Sequence, residues 1–422
     1  MSSTPNDNVF INVQTYQPYA CAYLRHSNPM IYDANRKFDN FQDFTGNLGN
    51  TVMFQKQLLL KPTKSLVYNW EQTVQRTISL TVDLPLSVPL QYSAEQLVFN
   101  DAEAFMKEYG GKSAMNGISA EVETSLAARA ETETFLHYGN GRTEINSYVQ
   151  LSSALRKMRN YGNTMGNAKC YIPDFSVDKI LNSGMNQYTP DRSNKTSNTW
   201  DLGSFAMCDW RISSLLKKHI AGSEGQANST LTVVSVTTDS ADPTRIVAIT
   251  FSGTSAASDP DSVKAGDKFT FNLSADTYMT ILGSGGKASA STVQFSAAAD
   301  AESTGSSQVT VTLNNPLIAS GNQQNITKQI AAGMTVSVAD SHYVGLITQG
   351  DPLFLAMPRL PNTDPYKMKQ DYDMDSGISV RFSYGSLYGQ NLYGYAFDCI
   401  VGTQLNGENA MAILFPLSSF DA

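Results

Sequence analysis

The sequence predicts an α+β chain carrying an inserted all-β barrel domain, and three features predict it. Apolar residues alternate without a miss from Ile78 through Leu80, Val82, Leu84 and Leu86 to Val88, the period-two signature of a strand with one buried face. Met115, Ile118, Val122 and Leu126 step by three and four, as one stripe of a helix does, with Glu121, Glu123 and Arg129 off that stripe. From about residue 223 to 340 Cys and Trp vanish, Ser, Thr, Gly and Ala dominate, and short β runs recur between turn-rich pieces.

Residues 1–45 are polar and aromatic without periodicity, an arm that gains order by lying on something else. Residues 46–76 turn to short β runs, 51–55, 58–60 and 66–68, with a break at Lys61-Pro62, so an extended two-stranded excursion is expected. The alternating stretch that follows is long for a strand and reads as a bent ribbon, with Pro85 and Pro89 favouring an edge. A spine helix is expected over about 100–138, opened by the capping pair Asn100 and Glu103 and ended by Gly139-Asn140-Gly141. A second helix starts at Ser147, with Gln150 at the matching cap position, and buries Leu151, Leu155 and Met158. Residues 170–172 read as a strand and 177–181 as a short helix. These elements make a mixed α/β core over 77–222. The insertion spans 223–345, with β runs at 231–236, 246–251, 268–271, 309–313 and 335–338. Residues 346–422 return to the core with aromatic strands and a terminal hairpin around Asn406-Gly407.

A chain of 422 residues is long enough for two or three domains and a large core. Its net charge of −8 and its lack of Lys/Arg clusters argue against a nucleic-acid binder, because neutralising phosphates needs grouped cations; they do not argue against a protein that merely encloses DNA. The first ten residues carry no basic and apolar signal pattern, and no apolar run reaches the ~18 residues a membrane span needs. Cys21, Cys170, Cys208 and Cys399 are widely spaced, which suits buried reduced thiols of a cytoplasmic product.

The search for chemistry finds none. None of His26, His137, His219 and His342 sits three or four residues from another His or a Cys, so local zinc spacing is missing; His137 is expected near a helix C-terminus, where the dipole favours it. Gly110-Gly111-Lys112-Ser113 ends like a phosphate loop, but its first glycine is replaced by Met106 and no strand leads into it. Residues 283–288 match a dinucleotide loop only as GxGxxA, without the strand–turn–helix that would aim a helix N-terminus at a pyrophosphate. Asp371, Asp373 and Asp375 begin like a calcium loop, but Gly377 is one place late and Phe382 stands where the closing Glu belongs, so a solvated turn is expected. No cofactor, metal or catalytic residue is assigned.

The order arm, β excursion, alternating ribbon, spine helix, mixed core and terminal strands resembles the HK-ninety-seven-type capsid fold of tailed phages and herpesviruses. The inserted barrel narrows the resemblance to the coat proteins of short-tailed Salmonella phages: residues 245–252, the KAGDKFTF run at 264–271, residues 308–317 and the exit at 354–361 are similar to that family's barrel strands and its return to the shell. The resemblance implies a major capsid protein that self-assembles, as hexamers and pentamers, into an icosahedral shell enclosing double-stranded DNA without reading its sequence. It further implies scaffolding protein and portal as partners, no membrane, and a virion location after assembly in the host bacterial cytoplasm. The excursion becomes the loop that reaches over a neighbouring subunit, which makes Lys56, Lys61, Lys64, Tyr68 and Trp70 candidate inter-subunit contacts. Some relatives crosslink a loop lysine to an asparagine; no catalytic acid matching that chemistry accompanies these lysines in the sequence. Two other classes compete: a phage tail or adhesion protein built of β modules, against which the early spine helix counts, and an enzyme with a dispersed site.

Overall fold

The computed structural model describes residues 21, 24, 28–36, 49–56, 60–62, 64–67, 70, 76–93, 111–161, 168–180, 203–205, 208–240, 242–272, 280–282, 288–360, 368–373, 377–387 and 392–417. The α/β chain divides into two compact units: residues 1–54, 78–126 and 353–404 in the first, and 55–77, 127–352 and 405–422 in the second.

The first unit is built on a five-stranded sheet. Leu353–Ala356, Leu392–Leu405, Ile378–Leu387 and Met368–Asp373 lie in that order, and Leu84–Ser93 also pairs with Leu392–Leu405. Leu387 opposite Leu392 closes a long antiparallel hairpin, stiffened by an ion pair of Arg381 with Asp398 at 2.7 Å and by Phe382 against Phe397. Met115, Ile118, Val122 and Leu126 of the helix Gly111–Glu133 are buried, as their spacing predicts. Ser125 Oγ and Thr403 Oγ1 share a hydrogen bond of 2.6 Å, tying that helix to the sheet.

The second unit holds two large sheets over one continuous apolar core and a small antiparallel sheet of Thr280–Leu282 with Ala288–Thr292. A seven-stranded mixed sheet runs His137–Tyr138, Ala410–Pro416, His342–Gln349, Ala168–Ile172, Cys208–Ile212, Gly203–Phe205, with Lys218–His219 joined to its third strand. Every residue of Ala410–Pro416 is buried, the unbroken apolar run of a strand covered on both faces. The helix Tyr148–Asn160 begins with the predicted capping box, Ser147 Oγ accepting from Gln150 N–H and Gln150 Oε1 accepting from Ser147 N–H. It buries Leu151, Leu155 and Met158.

The other sheet is antiparallel and nearly closed. Its order is Gln294–Ser296, Lys268–Phe271, Thr335–Val338, Thr230–Thr238, Arg245–Ser252, Gln308–Ile318. A bridge from Ala297 to Leu313, with Ala298 N–H donating to Thr312 C=O at 2.9 Å, joins its two outer strands. Closure satisfies backbone groups that two free edges would expose. Phe251, Phe269 and Phe295 fill the interior as near-parallel rings, the tightest pair 4.8 Å apart.

Several expectations change. The alternating ribbon is two strands, Thr77–Thr81 paired with Thr51–Gln55, then Leu84–Ser93 in the five-stranded sheet. Ile78, Leu80 and Val82 are buried, whereas Leu84, Leu86 and Val88 are only half-buried, so the period survives while the cover thins. The spine helix ends at Glu133 instead of near 138; residues 94–110, with the proposed Asn100 cap, lie outside the described residues. Thr134 Oγ1 donates back to Ala130 C=O at 2.7 Å, and Leu136 C=O accepts Ala412 N–H at 2.9 Å. That bond draws His137 and Tyr138 into parallel pairing with Ala412 and Ile413, so His137 is a buried strand residue rather than a helix-end cation. The terminal hairpin does not form. The strands flanking Asn406-Gly407 belong to different sheets, because Asn406 accepts Glu408 N–H and opens a 3₁₀ turn, Gly407–Asn409, that redirects the chain. Gly407 is required there: a Cβ would collide with Glu133 C=O. Asp371 and Asp373 are strand residues paired with Val380 and Ile378 rather than turn residues, and Asp375 lies outside the described residues. All four cysteines are free and buried. Among the described residues no helix is long and apolar enough to cross a membrane.

Candidate subunit-contact surface

The excursion is a hairpin at its base. Thr51 Oγ1 meets Thr81 Oγ1 at 3.3 Å, Lys56 N–H donates to Arg76 C=O at 2.8 Å, and the partner numbers fall as the strand numbers rise, which is antiparallel register. Within the second unit, the stem is anchored by charge and by backbone. Arg76 pairs with Glu408 at 2.7 Å and also reaches Asn315, while Lys61 donates through its backbone N–H to Asn322 C=O and through Nζ to Gln324 Oε1, each at 2.8 Å. Burial lowers the pKa of Lys56, with Glu408 and Glu133 opposing and Arg76 adding to that effect; burial also raises Glu133, which Lys56 partly offsets.

Beyond this stem the apolar side chains are open to solvent. Leu66, Val67 and Trp70 are 92 %, 81 % and 90 % exposed, and Leu60 is half exposed. Each is a type normally buried, and scattered single cases are ordinary; four within eleven consecutive positions are a patch. Of the sequence-based candidates, Lys64 and Trp70 lie on this open part, Lys56 and Lys61 are turned to their own chain, and Tyr68 lies outside the described residues.

The arm is held by a residue that lies off the helix's apolar stripe. Glu123, off the apolar stripe of the spine helix, is fully buried; its two carboxylate oxygens accept Met30 N–H at 3.3 Å and Ile31 N–H at 3.2 Å. These are free donors at the start of the short helix Pro29–Asp33, which a carboxylate satisfies in both hydrogen bonding and charge. Asn28 Nδ2 adds a bond to Ser119 C=O at 3.1 Å, and Asn35 bridges to Phe354 of the sheet. No sequence signal short of knowing what lies over the helix could have found Glu123.

One buried cluster has the residue types of a catalytic site and must be tested as one. His219 lies between Glu131 and Asp267, Nδ1 and Nε2 each 2.8 Å from a carboxylate oxygen, with His219 and Asp267 shielded from solvent. Burial alone would lower the His219 pKa, but hydrogen bonds to Asp267 and Glu131 outweigh it and the net shift is upward. With both ring nitrogens donating to carboxylates, no lone pair is free to take a proton from a substrate. The carboxylates sit on opposite sides of the ring, so they do not converge on a metal, and among the described residues no group of three such ligands does. Lys268 lies beside this cluster and is buried, donating to Glu131 C=O at 2.8 Å and to Thr134; burial brings its pKa to about 7. The arrangement ties the end of the spine helix to the nearly closed sheet and holds charge away from solvent.

Comparison with solved structures finds phage capsids. The capsid of Ralstonia phage GP4 is 7 % identical, matching 91 % of this chain and 87 % of its own at a TM-score of 0.46. The head structure of Helicobacter pylori bacteriophage KHP40 is 9 % identical over 92 % of this chain and 90 % of its own, TM-score 0.44. The capsid structure of cyanophage P-SCSP1u is 11 % identical over 90 % and 88 %, TM-score 0.41. No family model and no curated protein matches the sequence.

Proposed function

We propose that this chain is the major capsid protein of a tailed phage, a non-enzymatic subunit of the HK-ninety-seven-type fold with an inserted barrel. It would self-assemble into the icosahedral shell that encloses a double-stranded DNA genome. The reading rests first on the order of parts, and the observation that carries it is the excursion. A stem fixed by Arg76, Glu408 and Lys61 holds the side chains of Leu66 and Val67 out in water, with Trp70 also 90 % exposed, and another subunit would cover this apolar surface. On this reading residues 1–45 are the arm, 46–76 the extended loop, 223–345 the insertion, and 77–222 with 346–422 the shell core. The inter-subunit contacts are Lys64, Leu66, Val67, Tyr68 and Trp70, and Lys56 and Lys61 position the loop rather than touch the neighbour. Scaffolding protein and portal are the further partners, the virion is the location, and a net charge of −8 keeps enclosed DNA from adhering to the wall.

Size-exclusion chromatography with negative-stain microscopy on the purified chain tests this. Closed shells, or rings of five and six, support it. A trimeric fibre or a small oligomer that never exceeds a few chains overturns it.

A further inference from the structure

A cavity of about 560 Å³ opens in the second unit, lined by Tyr138, by Ser153, Arg156, Lys157 and Asn160 of the helix Tyr148–Asn160, and by Ser291 and Thr292 of the strand Ala288–Thr292. Among the described residues its two charged lining side chains are both cations, in a chain whose net charge is negative, and no carboxylate lines it. Lys157 is the unusual member. Its ammonium donates to His137 C=O at 2.8 Å, and it has no ion pair among the described residues. Burial alone lowers its pKa, to about 8. Arg156, one position earlier, is exposed and has neither a hydrogen-bond nor an ion-pair partner among the described residues. The helix dipole accounts for basic residues in the last turn, but not for a desolvated ammonium beside an open space without an acid. The remaining lining groups, the hydroxyls of Tyr138, Ser153, Ser291 and Thr292 and the amide of Asn160, are donors suited to oxygen atoms.

We propose that this cavity is an anion site that takes a phosphate group, held by Arg156 and Lys157 with the flanking hydroxyls. The guanidinium fork and the ammonium together match a phosphate's several oxygens, and the volume admits a nucleotide rather than a bare ion only. The same chemistry is offered by free phosphate, by a nucleotide and by a nucleic-acid strand. The site is independent of shell assembly: losing it leaves the capsid reading standing.

Calorimetry on the full chain in low salt, with inorganic phosphate, AMP and a short single-stranded oligonucleotide as probes, tests it. Saturable binding of phosphate and AMP, weakened about tenfold by Arg156→Gln with an unchanged melting temperature without ligand, is expected. Sulfate, whose charge is constant over the range, should bind more weakly as the pH rises past about 8, and Lys157→Met should remove that dependence. Because His137 lies against Lys157 and is held neutral by burial, it does not contribute there. Tighter binding of the oligonucleotide than of AMP assigns the phosphate to a strand; the reverse assigns it to a free ligand. No saturation by any probe, equal affinity in wild type and Arg156→Gln, or binding of an acidic peptide in place of phosphate overturns the proposal.

Discussion

His219 Nε2 lies 2.8 Å from Asp267 Oδ1, and neither side chain meets solvent. A charge pair that deep is costly to break, because the abandoned partner stays buried. Asp267→Asn should therefore cost about 3–5 kcal/mol, read as a lowered urea midpoint. The pH dependence follows from the direction of the shift. The pKa of His219 is raised on folding, so its stabilisation is complete below the unfolded value of 6.5 and is lost as the pH rises through the folded value. The stability gap between wild type and His219→Gln should be wider at pH 6 than at pH 9. A constant gap would remove the imidazolium from the account.

His342, whose ring lies 5.1 Å from that of His219, should behave in the opposite sense. Burial first, and the His219 charge second, hold its pKa at about 3, with the hydrogen bond from Nδ1 to Asp340 C=O opposing. A depressed folded value means stability present above pH 6.5 and lost as the pH falls toward 3. His342→Asn should flatten the acid limb, losing at least about 1 kcal/mol less than wild type between pH 6 and 4 in guanidinium titrations. His137, also held low by burial, supplies the slope that remains.

Glu123 should govern the arm. Glu123→Ala leaves Met30 and Ile31 N–H without acceptors, a cost of about 1–3 kcal/mol. Limited proteolysis should then cut within residues 28–36 several times faster than in wild type. Equal cutting rates would mean that the bridge from Asn35 to Phe354 suffices alone.

The excursion should separate folding from association. Leu66→Ser with Trp70→Ser changes exposed positions, so the unfolding midpoint should stay within about 0.5 kcal/mol of wild type. The concentration needed for assembly, followed by light scattering, should rise about tenfold or more. Phe295→Ala is the contrast: removing a ring stacked 4.8 Å from Phe269 should cost about 3–5 kcal/mol.

What the sequence made legible was whatever periodicity and capping chemistry express locally. Ile78, Leu80 and Val82, the stripe from Met115 to Leu126, and Ser147 with Gln150 all carry their meaning within a few residues. What escaped depends on partners far along the chain. Glu123 reads only as a residue off the apolar stripe, and its role shows once Met30 and Ile31 lie over it. His137 belongs to a strand only because Ala412 takes the carbonyl of Leu136. Asn406-Gly407 has hairpin composition, yet the same side-chain acceptor that favours a tight turn opens a 3₁₀ turn, and the flanking strands find other partners. The cluster around His219 was invisible for the same reason, its members standing 48 and 88 residues away.

The nearly closed sheet begins and ends at one point. Thr230 is paired with Ser337, and Leu231 with Val336, so the first and last strands of the segment are neighbours. A stretch whose two ends are zipped side by side enters and leaves its host at adjacent points, and its further ties, such as those of Asp267 to His219 and of Lys268 to Glu131 and Thr134, come from its own strands. Its interior can lengthen, shorten or be exchanged over evolutionary time while the strands before and after it stay in register. For an engineer, the same geometry makes its turns the places to carry foreign peptide.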